Sequence, residues 1–378
     1  MKTIKKLFRI IGIALLIFTA AIILTAVVFI NLSPQFGGSP SEEQKKFYSL
    51  SKHYENNIFV NEIPTSLDMG FGNTVKVAYQ FFFKRIPDLE PEAPIPVEQV
   101  DSIEIINKPA DLKRLTWFGH SACLLEMEGK RILFDPMLGP TPAPHPLLGP
   151  KRFNKELPIE IEELPHIDAV VISHDHYDHL DYESIVKLKD KTDHFYTPLG
   201  VGVHLAKWGI DPAKITELDW WQQATTDGFT FVCAPARHFS GRGLFDRFNT
   251  LWSSWIVKTS TTSLFFSGDG GYGPHFKEIG TRYGPFDFVM LECGQYNERW
   301  KDIHMMPEES VQAAIDLRGK VMMPIHWGAF ALALHPWTDP ITRVTASARL
   351  RKVHITTPTI GEPVLLNEPT YPHKEWWK

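Results

Sequence analysis

The sequence predicts an α/β sandwich with a covered sheet, preceded by a transmembrane helix at the N-terminus. From about residue 112 onward, short apolar segments typical of strands alternate with helical patterns. Before them, residues 10–30 form an uncharged apolar run. As a helix this run would be roughly 31 Å long, which matches the hydrocarbon core of a bilayer.

The composition is that of a globular protein and excludes one class of partner. The chain has 378 residues, of which 43% are hydrophobic and 22% charged. Its 39 basic and 44 acidic residues give a formal net charge of -5, so we expect no nucleic-acid partner. Cys123, Cys233 and Cys293 lie far apart in apolar stretches. We expect buried free thiols there, because a zinc site built on sulfur would need close cysteine pairs.

Basic residues before the apolar run indicate its orientation. They are Lys2, Lys5, Lys6 and Arg9. Positive charge favours the cytoplasmic side, so residues 1–9 are predicted to be a cytoplasmic tail and residues 10–30 a single transmembrane anchor. A cleaved signal peptide is the alternative, but it would have a shorter apolar core and a cleavage site with small residues. The remainder of the chain would then lie outside the cytoplasm.

Residues 31–110 are predicted to be a linker followed by an N-terminal extension that packs on the core. Residues 31–45 are rich in Ser, Gly and Pro, as linkers are. The proline-dense stretch at residues 87–96 is typical of a segment that wraps over a domain surface. Residues 111–378 would form the main domain.

Within that domain, residues 115–127 and 130–138 are predicted to be two strands joined by a turn at Glu128 and Gly129. Residues 181–189 and 307–317 have helical patterns, and the second begins with proline and acidic residues. Further strands are predicted where apolar residues cluster, at 167–172, 194–198, 229–235, 251–259, 263–269, 286–292 and 320–326.

A cluster of ligand-type residues follows the apolar strand at 167–172. Residues 173–179 read SHDHYDH. His174 and His176 alternate along an extended backbone, so both imidazoles point the same way. Asp178 and His179 fall on the following turn and can face a second point. Polar groups at the end of a buried strand are unfavourable unless something binds them, and these ligand types suit first-row metals.

Three later strands also end in ligand-type residues. His238 follows FTFVCAPAR, Asp269 ends SLFFSGD, and His326 ends KVMMPIH. Each one alone could be a cap or turn residue. Their recurrence at strand ends predicts that they converge with the residues at 174–179 on a metal centre.

The order H-x-H-x-D-H, then His, Asp and His, resembles the metallo-β-lactamase superfamily. That resemblance implies an αββα sandwich with two zinc ions per chain. Three residues would bind one ion, three the other, and one would bridge them together with a hydroxide. In that order these are His174, His176 and His238; Asp178, His179 and His326; and Asp269.

A narrower resemblance covers residues from about 112 to about 335. Several motifs are similar to the N-acylphosphatidylethanolamine-hydrolysing phospholipase D family. They are residues 116–120 (TWFGH), 149–153 (GPKRF), 218–221 (LDWW), 267–272 (SGDGGY), 278–286 (EIGTRYGPF), 296–300 (YNERW), 304–309 (HMMPEE) and 325–332 (IHWGAFAL). This resemblance implies a phosphodiesterase that acts on N-acylphosphatidylethanolamine-like glycerophospholipids. The predicted anchor at residues 10–30, which is outside the resemblance, would hold the site near lipid.

The resemblance also implies roles in catalysis. The bridging hydroxide is expected to attack phosphorus, and Asp269 could take its proton. His304 resembles the family's active-site histidine that does not bind metal, and is assigned to phosphate stabilisation or leaving-group protonation. Independently of the resemblance, Asp135 is a candidate acceptor that orients a zinc-bound imidazole, or equally a turn residue at the end of a strand, and the same two interpretations apply to His120.

The sequence is also compatible with two other classes of function. A second dinuclear zinc hydrolase, such as a lactonase, thioesterase or β-lactamase-like enzyme, would attack a carbonyl carbon in a shorter, polar pocket. A structural zinc protein is a third hypothesis, but its sites would be closed by four protein ligands per metal. A groove lined by aromatic side chains would favour lipid, and the candidates are Trp220, Trp221, Trp252, Trp255 and Phe330.

Overall fold

The N-terminal helix is long, and most of its side chains are exposed. The computed structural model describes residues 2–66, 70–83, 86–107, 109 and 111–378. Helix α1 (Lys2–Leu32) opens the chain. Within it, Thr3–Leu32 is long and apolar enough to cross a membrane, and its apolar side chains are exposed. The predicted apolar helix is therefore present and could span a bilayer.

The remaining helices are short. Helices α5 (Tyr182–Leu188) and α8 (Pro307–Asp316) occupy the two segments with predicted helical patterns. Helix α5 begins where the Asp181 carboxylate accepts a hydrogen bond from the Ser184 amide at 2.9 Å. In chain order the described residues form α2 (Glu42–Tyr48), α3 (Phe71–Phe83), α4 (Ser102–Ile106), α5 (Tyr182–Leu188), α6 (Gly202–Lys207), α7 (His275–Tyr283), α8 (Pro307–Asp316) and α9 (Asp339–Arg351).

Strands form in each of the predicted apolar segments, and further short strands form at 54–55, 58–59, 215–218, 223–226 and 363–365, where none was predicted. In chain order the described residues form β1 (Tyr54–Glu55), β2 (Ile58–Phe59), β3 (Lys113–Trp117), β4 (Cys123–Met127), β5 (Lys130–Phe134), β6 (Ile167–Val171), β7 (Thr192–Pro198), β8 (Ile215–Leu218), β9 (Gln223–Thr226), β10 (Phe229–Ala234), β11 (Ser254–Lys258), β12 (Ser263–Phe266), β13 (Phe288–Glu292), β14 (Met322–Ile325) and β15 (Pro363–Leu365). Strands β1 and β2 form a small hairpin in the N-terminal extension.

Two larger sheets pack face to face. Their strand orders are β15-β3-β4-β5-β6-β7-β8 and β14-β13-β12-β11-β10-β9. Between them, Phe134 meets Phe266 at 5.0 Å between ring centroids, and Tyr196 stacks on Phe231 at 4.2 Å. Helices α4, α5 and α6 cover the outer face of the first sheet, and α7, α8 and α9 cover the second. The predicted αββα sandwich is confirmed, and all three cysteines are buried and free.

The structure corrects one predicted strand. Residues 115–127 do not form a single strand, because the chain turns between β3 and β4. Gly119 has φ of 89° and His120 φ of 52°, which is left-handed backbone typical of tight turns. Beyond the turn, Thr116 pairs with Leu124 in antiparallel register. The consequence is that His120 sits at the tip of a hairpin rather than on the face of a strand.

The segment after α1 is docked on the main domain, although its composition predicts a linker. Nε1 of Trp208 donates to the Pro34 carbonyl at 2.7 Å, and Nε of Arg242 donates to the Gln35 carbonyl at 2.8 Å. Tyr48 of α2 is fully buried. The described part of the extension therefore packs on the core directly from the end of α1.

Candidate metal centre

The candidate ligands meet at one end of the sandwich, where several strands terminate. The loop of residues 172–181 follows β6, His238 follows β10, and Asp269 follows β12. His326 comes directly after β14, in left-handed backbone with φ of 65°. The structure brings together all seven residues that the sequence proposes as ligands.

Three imidazoles and one carboxylate form the first group. His174, His176, His238 and Asp269 each offer one nitrogen or oxygen within 4.8 Å of the others. Nδ1 of His176 lies 2.9 Å from Nε2 of His174 and 3.2 Å from Nε2 of His238. Nδ1–H of His238 donates to the Ile303 carbonyl at 2.8 Å, which leaves its Nε2 with a lone pair. Several nitrogen atoms therefore face one point.

The second group contains a residue with an unexpected position. His120, Asp178, His179 and His326 lie together. Oδ2 of Asp178 is 3.0 Å from Nε2 of His120, 3.3 Å from Nε2 of His326 and 3.6 Å from Nε2 of His179. The sequence suggests that His120 only supports a ligand. Instead, the hairpin turn after β3 presents its nitrogen to the same point as the ligands.

Asp269 lies between the two groups. Its Oδ2 is 3.1 Å from Nε2 of both His179 and His326, and 3.9 Å from Nε2 of both His174 and His238. Gly268 makes this placement possible. It has φ of 55°, and a Cβ there would lie 2.6 Å from Cβ of Ser173. Only glycine lets the Asp269 backbone approach the ligand loop this closely.

The residues fit divalent cations. Among the described residues, two buried atoms of the ligand groups make no hydrogen bond, namely Oδ1 of Asp269 and Nε2 of His179. A buried polar atom without a partner destabilises the fold by about 1–3 kcal/mol. Zinc bound tetrahedrally at 2.0–2.1 Å would place its ligand atoms roughly 3.3 Å apart. The separations around His176 are close to this value. A cation in each group would satisfy these nitrogen and oxygen atoms.

The electrostatics of the cluster point the same way. Burial holds the pKa of His174 and His238 well below the ordinary histidine value, so both rings are neutral. Burial alone would also lower the pKa of His179. The carboxylates of Asp269 and Asp178 outweigh it and raise that pKa well above the ordinary value. The centre therefore stabilises positive charge, which bound divalent cations would supply in place of a proton.

A buried carboxylate was missed in the sequence. Glu292 ends β13 and is fully buried. Its Oε2 accepts a hydrogen bond from Nδ1 of His304 at 2.8 Å, and its Oε1 accepts from the amides of Gly270 and Met305 at 3.0 Å each. The signal was present, because the segment FDFVMLE also ends in a ligand-type residue. Glu292 joins His304 to the loop that carries Asp269.

The cavity above the cluster differs from the expected aromatic groove. A cavity of about 300 Å³ opens beside the cluster. Its polar floor includes His176, Asp178, Asp269, His304 and His326, and its apolar walls are Phe239, Trp300, Ile303 and Leu332, with Gln295 at the side. Of the proposed groove residues, Trp220, Trp252, Trp255 and Phe330 are buried in the interior, and Trp221 packs against the core.

These buried tryptophans support the ligand loops from below. Nε1 of Trp255 donates to the Ile172 carbonyl at 2.9 Å, just before the loop with His174. Nε1 of Trp252 donates to the Ala236 carbonyl at 3.1 Å, just before His238. The two tryptophans therefore hold the ends of β6 and β10 in place, and they do not line the cavity as a substrate groove would require.

Comparison with known proteins identifies the family. The sequence profile described as the Beta-lactamase superfamily domain matches residues 130–327, which is more than half of the chain. An uncharacterized protein of Mycobacterium tuberculosis is 41% identical over 352 residues, with 92% of each chain covered.

A second relative has a more specific name. The N-acyl-phosphatidylethanolamine-hydrolyzing phospholipase D 1 of Caenorhabditis elegans is 35% identical over 233 residues, covering 57% of this chain and 64% of the nematode enzyme. Among solved structures, a metallo hydrolase of the archaeon Ignicoccus hospitalis has a TM-score of 0.51 at 23% identity. The match covers 68% of this chain and 99% of the archaeal one, and it shows a shared fold.

Proposed function

The chain belongs to the β-lactamase superfamily and is a metal-dependent hydrolase of the metallo-β-lactamase fold, and from this premise we propose that it is a zinc phosphodiesterase of phospholipase D type. Its substrates would be N-acylphosphatidylethanolamine-like glycerophospholipids. The observation that carries this proposal is the position of Asp269, whose Oδ2 lies between two groups of ligand atoms beside an apolar-walled cavity.

The proposed ligand roles follow the two groups. His174, His176 and His238 would hold one zinc ion, Asp178, His179 and His326 the second, and Asp269 would bridge them. His120 would complete the second group through Nε2. Two zinc ions held in this way would lower the pKa of a water molecule and stabilise negative charge on the phosphoryl oxygens.

The protein's own groups would handle the protons. Asp269 would take the proton released by the attacking water. His304 borders the cavity, and its Nδ1 donates to Glu292 at 2.8 Å, which orients the ring with Nε2 free. In that orientation Nε2 would donate a proton to the leaving alkoxide, and Glu292 would stabilise the charge of the imidazolium.

Three observations support a lipid substrate. The cavity walls are apolar, formed by Phe239, Trp300, Ile303 and Leu332. A helix that could span a membrane precedes the domain. The relative from Caenorhabditis elegans is named for hydrolysis of N-acylphosphatidylethanolamine, and this chain spans 64% of its length. We therefore propose the same substrate class for this chain.

The proposed location is a single-pass membrane protein. Residues 1–9 would be cytoplasmic because of their positive charge, residues 10–30 would span the bilayer, and the catalytic domain from residue 111 would lie outside the cytoplasm. Residues 31–110 would form the extension that packs on it.

The test uses the full-length protein in detergent micelles, loaded with zinc. We expect it to release phosphatidic acid from N-acylphosphatidylethanolamine in mixed micelles. A chromogenic lactam and a lactone serve as competing substrates. Ring opening without lipid cleavage would overturn the proposal in favour of a hydrolase that attacks carbonyl carbon.

A single variant tests the metal assignment in the same assay. His176→Ala should lower the zinc content and abolish hydrolysis, because Nδ1 of His176 faces both His174 and His238. His354→Ala is the control, since His354 is exposed. Circular dichroism would check that both variants retain the fold. Full activity of His176→Ala would refute the assignment.

A further inference from the structure

Two loops of the main domain carry exposed apolar side chains at their tips. In the loop of residues 139–152, Leu147 is 85% exposed and Leu148 63%. In the loop of residues 239–248, Leu244 is 72% exposed and Phe245 95%. Neighbouring large apolar residues at loop tips are unfavourable in water, so clusters of this kind mark interaction surfaces.

Both loops flank the point where α1 ends. The ring of Phe29, in the last turn of α1, lies 6.2 Å from His145 of the first loop and 5.5 Å from Phe36. Arg242 of the second loop donates to the Gln35 carbonyl at 2.8 Å. Only Ser33 separates α1 from the docked turn at Pro34–Phe36. A membrane that surrounds α1 would therefore reach these loops.

The same region borders the metal centre. The rings of Phe36 and Tyr177 lie 6.5 Å apart between centroids, and in the sequence Tyr177 stands between the candidate ligands His176 and Asp178. The second loop begins at Phe239, which forms part of the cavity wall. The ring centroids of Phe239 and His176 are 4.5 Å apart. The anchor, the loop tips and the cavity mouth thus belong to one continuous surface.

Helix α3 of the extension adds a third apolar feature beside the mouth. Val77 is buried in a cluster with Trp300 and Ile303, which are walls of the cavity. Tyr79 and Phe83 lie on the exposed side of α3 and stack on each other at 5.4 Å. Tyrosine at such a position is typical of membrane–water interfaces, because its ring is apolar and its hydroxyl is polar.

We propose that these two loop tips and the outer face of α3 insert into the leaflet from which α1 emerges. The cavity mouth would then rest on the lipid head groups, and a lipid substrate would enter by rising out of the leaflet without crossing water. This inference rests on α1 spanning a bilayer, and it deepens the proposed function by naming the route of the substrate.

The charges near the second tip agree with a lipid surface. The guanidinium of Arg247 lies over the rings of Phe239 and Phe248 at 4.8 and 4.9 Å, close behind the exposed Phe245. The neighbouring carboxylate of Asp246 is engaged within the loop by the Gly243 amide at 2.8 Å. In a membrane, the apolar tip would contact the acyl chains, and the cation behind it would lie at the level of the lipid phosphate groups.

Insertion depth is the direct test, and it does not depend on catalysis. The native cysteines are buried, so a single added surface cysteine can be labelled with an environment-sensitive fluorophore. The full-length protein would carry Leu148→Cys, Phe245→Cys or Thr19→Cys in vesicles of phosphatidylcholine and phosphatidylethanolamine with lipid-borne quenchers. Leu350→Cys is the control, because Leu350 is 84% exposed on α9, which packs against α8.

At positions 148 and 245 we expect the emission to be blue-shifted and to be quenched by shallow quenchers. At position 19 we expect a blue shift and quenching by deep quenchers. At position 350 we expect neither a blue shift nor quenching. Emission at 148 and 245 like that at 350 would overturn the inference, whether or not position 19 is quenched.

A rate comparison tests the substrate route. The double variant Leu148→Ser, Phe245→Ser should hydrolyse N-acylphosphatidylethanolamine in vesicles more slowly than the unaltered protein, with an unchanged rate in detergent micelles. Equal vesicle rates would overturn the route. If the unaltered protein cleaves neither form, the proposed function fails while the depth measurement still decides whether the loops insert.

Discussion

Nδ1 of His179 donates a hydrogen bond to Oδ2 of Asp135 at 2.7 Å, and neither side chain is accessible to solvent. The same carboxylate accepts hydrogen bonds from the Ser173 amide at 2.7 Å and from the Ser173 hydroxyl at 2.6 Å. One buried carboxylate therefore selects the tautomer of a candidate zinc ligand and positions the residue that precedes His174.

Replacing this carboxylate should weaken metal binding. In Asp135→Asn, an NH₂ group replaces one of the two carboxylate oxygens. This NH₂ group would face at least one of the N–H or O–H groups that now donate a hydrogen bond to the carboxylate. We expect a loss of about 10–100-fold in zinc affinity or activity, the range typical for partners of metal-binding histidines. Competition with a chromophoric chelator measures the affinity. Asp193→Asn is the control, because Asp193 pairs with His166 at 2.8 Å on the surface. Unchanged affinity in Asp135→Asn would show that this hydrogen bond does not tune the site.

Glu292 and His304 should act as one unit. In Glu292→Gln the amide no longer stabilises a charged imidazole, so we expect kcat to fall by about 10–100-fold with KM nearly unchanged. His304→Gln should lower kcat at least as much, and the double variant should lose no more than His304→Gln alone. Steady-state kinetics with the phosphodiester substrate measures all three. Additive losses would contradict the coupling, and Glu308→Gln, at a surface pair with Arg343, is the control.

The backbone at Gly268 should tolerate no side chain. In Gly268→Ala the new Cβ would lie 2.6 Å from Cβ of Ser173 and 2.8 Å from the Ser253 carbonyl oxygen. We expect displacement of Asp269, loss of activity and a lower unfolding temperature. Gly129→Ala is a matched control, because Gly129 also has positive φ, but no atom of the described residues would lie within 4 Å of its added Cβ. Equal effects of the two variants, measured by thermal unfolding and zinc content, would refute the steric argument.

Stability should depend on pH through Glu217, away from the metal centre. Burial raises the pKa of Glu217 to about 7 from the ordinary 4.5, although the Gly202 and Gly200 amides and the Tyr48 hydroxyl oppose this. Between these pH values the folded protein holds a proton that the unfolded chain has lost. This contribution to stability is therefore fully present below about pH 4.5 and is lost as the pH rises through about 7.

Glu217→Gln should remove that dependence, because the amide stays neutral at every pH. Between pH 5 and pH 8, the free energy of unfolding should fall by a smaller amount in the variant than in the unaltered protein. We expect this difference to be about 1–2 kcal/mol, allowing for partial solvent exposure of the side chain. Urea unfolding in detergent at the two pH values measures the difference. Glu183→Gln, at an exposed position, should change nothing. An identical pH dependence in the Glu217→Gln variant would refute the assignment.

Much of this protein can be read from the sequence, because the relevant signals are local. Helix α1 follows from one long apolar run, and most of the strands of the two larger sheets follow from short ones. The alternation of His174 and His176 after a buried strand is enough to predict that they face one point. The candidates His238, Asp269 and His326 could be chosen because each follows an apolar segment, and strand ends meet at the edge of a sandwich.

Other features were decided only by the tertiary structure. The turn at Gly119 depends on pairing between β3 and β4, and it moves His120 from a supporting position into the second ligand group. Trp252 and Trp255 face the interior because of the way the two sheets pack, so the cavity walls come from other parts of the chain, Trp300 among them.

The physical reason is the range of the interactions. Strand and helix formation, and the direction of neighbouring side chains, depend on residues close in sequence, so the amino-acid order alone determines them. Contacts such as those of Glu292 with His304, or of Arg242 with Gln35, join segments that have no preference for one another until the sheets have packed. Only the folded chain decides which residues line the cavity and which surface lies beside the anchor.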